Sequence, residues 1–521
     1  MMVERGGKAV VVILLALTFL LGCFPMADFD IWWHLGTGRI IGESGAIPRV
    51  DTLTYTNAGR VWIDLYWFFQ LVVTGLYRLG GPTALVFMKA VLGVVVVALA
   101  LLARRPGGKA WPLTLVWLPA LVVLSGRLCE RPELFSLVYL GIFLAVLGRA
   151  HERPRWLWAL PVAQLAWVNS HGFFVLGLFV LGAVGVDLIV ERRWPRPRPV
   201  PTIPLRPFLM AAGATLLACF VNPYGARVIQ LPFEQFQKLG DHGLYRANVG
   251  ELRSIVDFMG LSGINNPYLL GFFGLAALGL ASFGLAWRKG RPPMFRIILF
   301  LAALYLGWQA TRNSALFAVI TAVVSLWNLD EAFPVATAKP DGAAAKRGKA
   351  KAVRSRFAVG SVLAFVALAG LVLSGSLYTW AGEGRTIGLG EKARWYAHDA
   401  CAFLSRPDMP ARIVAFNLGQ AGVCVHHVSP TKKLFIDPRL EVNTADTFQR
   451  YVTSIRKLWR GESEWEGPLG IDYGKPGEVP AILIERGILD RAIAVLSRDP
   501  RWAQVHADNV AVVFALAGSG K

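Results

Sequence analysis

Charge is scarce in this sequence. Asp, Glu, Lys and Arg make up 17% of its 521 residues, 55% are hydrophobic, and the mean hydropathy is +0.47. A chain this apolar and this long is not a soluble protein, and it is expected to span a membrane many times. Cysteine is scarcer still. There are five, and no pair has the spacing of metal ligands, which excludes a disulfide scaffold and a zinc-finger-like site. Cys401 and Cys424 both fall in the C-terminal stretch, where an oxidising compartment permits a bridge; two buried free thiols fit the sequence equally well. The apolar part shows no clear internal repeat, direct or inverted.

Acidic residues are the rarer sign, 34 against 54 basic, and the net charge is +20. Such an excess suggests nucleic acid only when the basic residues form a patch on a folded domain. Here they fall in short gaps between apolar runs: Arg5 and Lys8; Arg104, Arg105 and Lys109; Arg149, Arg153 and Arg155; then groups running from Arg192 to Arg206, Arg288 to Arg296 and Lys339 to Arg356. These gaps hold 24 basic residues against six acids, nearly all of the net charge. That bias marks cytoplasmic loops, and no nucleic-acid partner is expected.

Placing every basic gap in the cytoplasm gives spans at about 9–27, 84–103, 111–126, 133–148, 156–170, 172–190, 207–223, 268–287, 294–310, 312–329 and 357–380. That makes about 11 transmembrane helices. The first is read as a retained anchor rather than a cleaved signal. With the N-terminus inside, an odd count puts the C-terminal region outside. The run "VWIDLYWFFQLVVTGLYRLGG", Val61 to Gly81, is interrupted by Asp64, Tyr66, Gln70 and Arg78 and fits an interfacial or re-entrant helix; a twelfth span there is the alternative and breaks the parity.

The expected fold class is therefore a polytopic α-helical membrane protein with a C-terminal extracytoplasmic α/β domain. Its parts are a multispanning membrane domain over 1–336 with a first outer loop at 28–83, a cytoplasmic basic linker at 337–356, a last transmembrane helix at 357–380, and a soluble domain at 381–521. The linker is rich in Ala, Gly and Lys and is expected to be flexible. In the last region helical runs alternate with strand-like ones such as "RIVAFN", "KKLFID" and "AILIER", and a hairpin is expected at Asp508 and Asn509.

With this topology the polar residues of the spans and loops collect on the outer side. They are Asp28, Asp30, His34, Asp51 and Asp64 in the first loop; Arg131 and Glu133 in "RLCERPELF"; Asn169 and His171 in "AWVNSHGFF"; Asn222 and Tyr224 in "FVNPYG"; Glu251 in "NVGELRS"; and Arg312 and Asn313 in "QATRNSALF". Ionisable groups at span ends are costly unless paired or functional. Each also has a plain structural reading: "NPYG" ends a helix, a boundary arginine snorkels, and Trp32 with Trp33 makes an aromatic belt. Their joint placement carries the functional reading, because the inner gaps are basic and nearly motif-free. Asp28 and Asp30 form a pair that binds a divalent cation (Mg or Mn) or deprotonates a hydroxyl. Asp30 and His34, four apart, share a helix face, and Arg and His groups suit a leaving phosphate.

The stretches "DFDIWWHLGTGRIIGESGAIPRVDTLTYTNAGRVW", "RPELFS", "WVNSHGFFVLG", "NPYG" and "RNSALFA" resemble a group of bacterial membrane proteins of the GT-C superfamily, the integral-membrane glycosyltransferases that include protein O-mannosyltransferases and aminoarabinose transferases. The resemblance runs through nearly the whole chain. It implies a polyprenyl-phosphate sugar donor, inversion at the anomeric carbon and a catalytic acid in the first loop, which is Asp28 or Asp30. The Trp-Trp-Asp acceptor motif of oligosaccharyltransferases is only echoed, by "GIDYG" at 470–474 without the Trp pair, so transfer to peptide Asn is not expected. The expected function is a membrane glycosyltransferase that moves a sugar from a polyprenyl-phosphate-linked donor to an extracytoplasmic glycan, lipid or protein acceptor. It is expected in the inner (cytoplasmic) membrane as a multi-pass protein with its site outside. Asp28, Asp30 and His34 are the expected catalytic residues. Arg131, Glu133, Asn169, His171, Asn222, Tyr224, Glu251, Arg312 and Asn313 are expected to bind substrate. The alternative from another class is a transporter or flippase for a lipid-linked glycan, which places polar groups near the midplane and often shows repeated halves.

Overall fold

The computed structural model describes residues 5–104, 108–196, 203–240, 243–334 and 344–518. It divides into two compact units that do not follow the linear order of the chain. One comprises Met1–Pro25 with Val86–Leu389; the other comprises Met26–Leu85 with Gly390–Lys521.

The first unit is helical. Five helices that carry or enter it are long and apolar enough to cross a membrane: Trp67–Ala103, Pro132–Arg149, Gly172–Arg193, Pro267–Trp287 and Thr311–Ala332. Shorter apolar helices cover Gly7–Gly22, Trp111–Ser125, Leu205–Ala218, Met294–Gln309 and Phe357–Leu373. Ten of the 11 expected spans fall on these helices, the one at 156–170 falling on the turn Pro154–Trp158 and the short helix Ala159–Val168, while length and composition mark five helices as spans among the described residues. The helix Trp67–Ala103 is broken at Gly80 and Gly81, just before Pro82. Gly81 has φ 59° there, a left-handed conformation that a side chain resists, and the break separates the interrupted run from the continuous apolar one.

Thr311–Ala332 is the centre of this unit. Ala315 to Leu329 are buried without interruption, against Pro267–Trp287, Met294–Gln309 and Trp111–Ser125. Its Asn328 finds partners inside the bundle, donating to the Ser282 hydroxyl (3.1 Å) and accepting from Arg296 (3.2 Å). At the same end Arg104 pairs with Asp330 (2.6 Å) and Arg296 with Glu331 (2.7 Å). These bonds answer the requirement that polar groups in an apolar medium be satisfied internally. Of the expected linker, 337–343 lies outside the described residues. From Ala344 the chain is helical to Leu373 rather than irregular, as the helix propensity of Ala, Lys and Arg favours.

The second unit is α/β. Its described strands, β1 (Arg412–Ala415), β2 (Lys433–Leu434), β3 (Ala481–Glu485), β4 (Trp502–Ala507) and β5 (Ala511–Leu516), form a sheet in the order β2-β1-β3-β5-β4. β1 runs parallel to β2 and β3, and β5 antiparallel to β3 and β4. β3 and most of β5 are buried, as expected of central strands covered on both faces. The β4–β5 turn is the expected hairpin, closed by the Asp508 carboxylate accepting from the backbone of Val510 (2.6 Å) and Ala511 (2.7 Å). A disulfide joins Cys401 to Cys424, which settles the choice that the sequence left open. It holds His398–Leu404 against Leu418–Val428 and sets His398 beside His427 (2.9 Å).

The expected boundary at 381 requires correction, because the first loop belongs to this unit. Thr54 pairs with Leu434 beyond β2, with the Leu434 N–H donating to Leu53 (3.0 Å) and the Tyr55 N–H to Leu434 (2.9 Å), so the loop extends the sheet edge. A sheet edge left open is a liability, and the loop closes it. Arg439, fully buried, is held between Asp51 (2.6 Å) and Asp437 (2.5 Å) and lies 4.3 Å over the Trp62 ring.

Candidate active site

The expected site residues divide between the two units. In the second unit, Asp28 precedes the helix Asp30–Ser44, and its carboxylate accepts from the Asp30 N–H (2.9 Å). Asp28 thus closes the helix N-terminus, and Asp30 stands in its first turn, where the exposed N–H groups favour a negative charge. The preceding segment is pinned: the Tyr396 hydroxyl donates to the Asp28 carbonyl (2.9 Å), the Trp395 indole to Ala27 (2.8 Å), and Phe29 packs against both rings (5.4 Å). Gly419 lies so close under Phe29 that an added Cβ would meet the ring at 2.4 Å. His34, one turn after Asp30, is 2% exposed and enclosed by Trp33 (3.6 Å), Phe69 (5.0 Å) and Tyr66 (5.3 Å). That aromatic enclosure suits an orienting role better than proton exchange with solvent.

Asp64, beyond the pair, is fully buried. Its carboxylate accepts from the Tyr66 N–H (3.0 Å) and the Gln70 amide (3.0 Å). Burial pushes its pKa up to about 7, against the lowering effect of these bonds.

The first unit gathers a charged cluster from three separate sequence stretches. Arg131 contacts Glu251 directly; Arg127 approaches Glu251 (3.4 Å) and Glu133 (3.7 Å); Arg312 approaches Glu133 (3.5 Å). Arg127 and Arg131 come from the turn after Trp111–Ser125, Glu133 from the first turn of Pro132–Arg149, Glu251 from the short helical turn Gly250–Leu252, and Arg312 from Thr311–Asn313. Backbone bonds lock the last two stretches together, the Thr311 N–H to Arg253 (2.9 Å) and the Thr311 hydroxyl to Glu251 (3.2 Å). Burial alone raises a carboxyl, but here Arg131, Arg127 and Arg312 outweigh it and hold Glu251 well below the usual carboxylate range. The three arginines keep about a fifth of their side-chain surface, at 19%, 19% and 22%.

The neighbouring predicted residues serve as supports. His171 bonds the Ser136 hydroxyl (2.8 Å), which also accepts from the Trp167 indole (2.8 Å). Its ring lies 4.5 Å from Phe173, and Arg312 stands 5.8 Å over the same Phe173 ring. Asn169 donates to Leu165 (2.8 Å) and Val221 (3.0 Å), tying two chain segments. Asn222 closes its own turn through Cys219 (2.8 Å), Gly225 (3.1 Å) and the Tyr224 N–H (2.8 Å), and Asn313 donates to Leu306 (3.0 Å). Arg127 was not among the expected residues. Its signal was its place in the same turn as Arg131, four residues earlier.

An apolar groove of about 360 Å³ lies between Pro267–Trp287 and Met294–Gln309, lined by Phe272, Phe273, Leu301, Leu304, Tyr305 and Trp308. Trp308 is one turn before Arg312 in the chain. For a metal ion, no group of three or more His, Cys, Asp or Glu side chains able to hold one occurs among the described residues. The Asp28 and Asp30 pair by itself does not make such a centre.

No family model matches the sequence, and no curated protein matches it by sequence. Solved structures do match in fold. The chain superposes on the oligosaccharyltransferase AglB from Archaeoglobus fulgidus, in complex with an inhibitory peptide and a dolichol-phosphate, with a TM-score of 0.53 at 11% identity, covering 92% of this chain and 69% of that one. The same enzyme tethered to an acceptor peptide gives 0.54 at 12% identity, covering 99% and 74%. ArnT from Cupriavidus metallidurans, in its apo state, gives 0.52 at 15% identity and covers 98% of both chains. Another AglB structure, a complex with Zn and sulfate, matches with a TM-score of 0.50 at 13% identity, covering 97% and 73%. At these identities the likeness shows the fold of the chain, which is that of these membrane-protein structures.

Proposed function

We propose that the chain is a membrane glycosyltransferase that transfers a sugar from a polyprenyl-phosphate donor to an extracytoplasmic acceptor. The observation that carries this reading is the convergence of Arg127, Arg131 and Arg312, from different parts of the chain, around Glu133 and Glu251, with surface left exposed. Planar guanidiniums in such a group bind phosphate bidentately and stabilise it as it leaves. The apolar groove between Pro267–Trp287 and Met294–Gln309 suits the tail of a lipid donor. The fold supports the class of reaction, since it matches ArnT along almost its whole length and AglB in a complex with a lipid phosphate.

In this reading the acceptor oxygen displaces the polyprenyl phosphate at the anomeric carbon with inversion, and the acceptor's proton passes to a base, for which Asp30 of the first loop is the expected residue. The arginines of the first unit suit the departing phosphate. Asp28 positions Asp30 through its bond to the Asp30 N–H. The catalytic face lies outside the membrane, opposite the basic gaps.

The test uses membranes containing the full chain, lipid extract and radiolabelled nucleotide sugars. Label is expected to pass through a lipid-linked intermediate onto a new acceptor only when the chain is present. Label that crosses the membrane without joining any acceptor would replace this reading with transport.

A further inference from the structure

Lys89 is the only charged residue in the apolar run from Pro82 to Ala103, and it is completely buried. Its ammonium lies 2.7 Å from Glu130, also buried, donates to the Phe24 carbonyl (2.7 Å) and sits 3.5 Å over the Phe24 ring. A buried ion pair is weak evidence for stability, because desolvation offsets much of the attraction, so its presence asks for another reason. Glu130 supplies one by its position. It sits directly before Arg131 and three residues after Arg127, in a turn whose backbone bonds run from Arg127 to Leu124 (2.9 Å), from Cys129 to Arg127 (2.9 Å) and from Arg131 to Cys129 (2.8 Å).

We infer that Lys89 is a positioning residue for the arginine cluster: by anchoring Glu130 it fixes the turn 126–131 and thereby aims Arg127 and Arg131 at their ligand. This inference rests on the phosphate-binding role proposed above for those arginines. The Phe24 contacts attach the same ammonium to the chain just beyond the helix Arg5–Gly22, so the turn is held against two fixed elements. The approach there is close, since a Cβ on Gly22 would fall 2.5 Å from Ala90, the neighbour of Lys89.

The experiment uses the full chain in nanodiscs, in a Cys23→Ala, Cys219→Ala background. Cys129 is then the sole free thiol, Cys401 and Cys424 being bridged. Replacing both partners, Lys89→Met with Glu130→Met, avoids leaving one buried charge alone. The double variant is expected to melt as the parent does, to label at Cys129 with a maleimide several-fold faster, and to bind a long-chain polyprenyl monophosphate roughly tenfold more weakly, the scale of losing a group one step behind a ligand's contact. Lys89→Arg is expected to keep both parent values. Parent-like labelling and affinity in the double variant overturn the inference. So does faster labelling with unchanged lipid affinity while Arg131→Gln lowers that affinity, because the arginines then hold their place without the anchor. Unchanged affinity in Arg131→Gln removes the phosphate reading of the cluster, and Cys129 labelling then decides alone whether Lys89 holds the turn.

Discussion

The two units each hold arginine against two carboxylates, to opposite ends. Arg439 has no exposed surface, and its charge is matched by Asp51 on one side and Asp437 on the other, with the Trp62 ring beneath. Arg127, Arg131 and Arg312 lie around Glu133 and Glu251 and stay partly open. A dry arginine clamped between two carboxylates has no open surface to offer a ligand, so its role is to hold the fold. An accessible set is still able to take another anion. Burial, rather than residue type, separates the structural arginine from the functional ones.

The largest effect should come from breaking the clamped site. Arg439→Met leaves Asp51 and Asp437 facing each other in a dry interior, and losing one partner of such a group costs about 3–5 kcal/mol. The expected outcome is a second unit that fails to hold the first loop, seen as rapid proteolysis between Pro48 and Trp62 and a lower melting temperature. Native resistance to protease would show that the loop is held by its backbone pairing to Leu434 alone.

Next in size is Asp64, which tests whether the interior of the second unit tolerates charge. Its folded pKa, about 7, lies above the ordinary carboxylate value because it is buried. The stability gained from keeping it protonated is therefore complete below about pH 4, declines as the pH rises to about 7 and is gone beyond that. Asp64→Asn keeps an oxygen for the Tyr66 and Gln70 donors and carries no charge. The variant should be more stable than the parent at pH 8 by an amount on the order of a few kcal/mol, and the gap should shrink towards pH 5. Denaturant midpoints across that range measure it, and a gap independent of pH would remove Asp64 as the titrating group.

Much of this comparison was legible in the sequence and part was not, for a physical reason. Hydropathy and alternation are local, so ten of the 11 expected spans fall on apolar helices and "RIVAFN", "AILIER" and the Asp508 turn fall where strands and a hairpin form. The charge asymmetry of the loops is also local, and it pointed to Arg131, Glu133, Glu251 and Arg312, which the structure brings together. Pairing across the chain leaves no such trace. Asp51 and Arg439 are 388 residues apart, and nothing near either one announces the other, so the first loop was assigned to the wrong body. Lys89 was readable as a lone charge in an apolar run, but its partner, Glu130, was not.

A catalytic carboxylate should show the converse of Arg439, losing activity without losing the fold. Asp30→Asn is nearly isosteric and keeps the N–H that Asp28 accepts, so the helix Asp30–Ser44 should remain capped. Transfer of labelled sugar should nevertheless fall roughly a hundredfold, because a base acts mainly in the transition state. Asp28→Asn should fall less, since its amide oxygen still accepts from Asp30. Parent-level transfer by both variants would return this stretch to an anchoring role.

The smallest effect is also the sharpest test, because one substitution is made on both sides of the comparison. Lysine keeps the charge of arginine but presents a single ammonium in place of a planar fork. At Arg439 it cannot reach Asp51 and Asp437 together, so Arg439→Lys should lower the melting temperature, and the surviving folded protein should transfer sugar normally. At Arg312 the group is already partly solvated and stands 3.5 Å from Glu133, so Arg312→Lys should leave the melting temperature unchanged. Its effect should appear in the donor KM, raised roughly tenfold by the loss of bidentate contact, with kcat nearly constant. A fall in kcat instead would mean that Arg312 meets the phosphate chiefly as it leaves, in the transition state. A change in melting temperature at Arg312, with KM unmoved, would place this arginine with Arg439 as part of the fold.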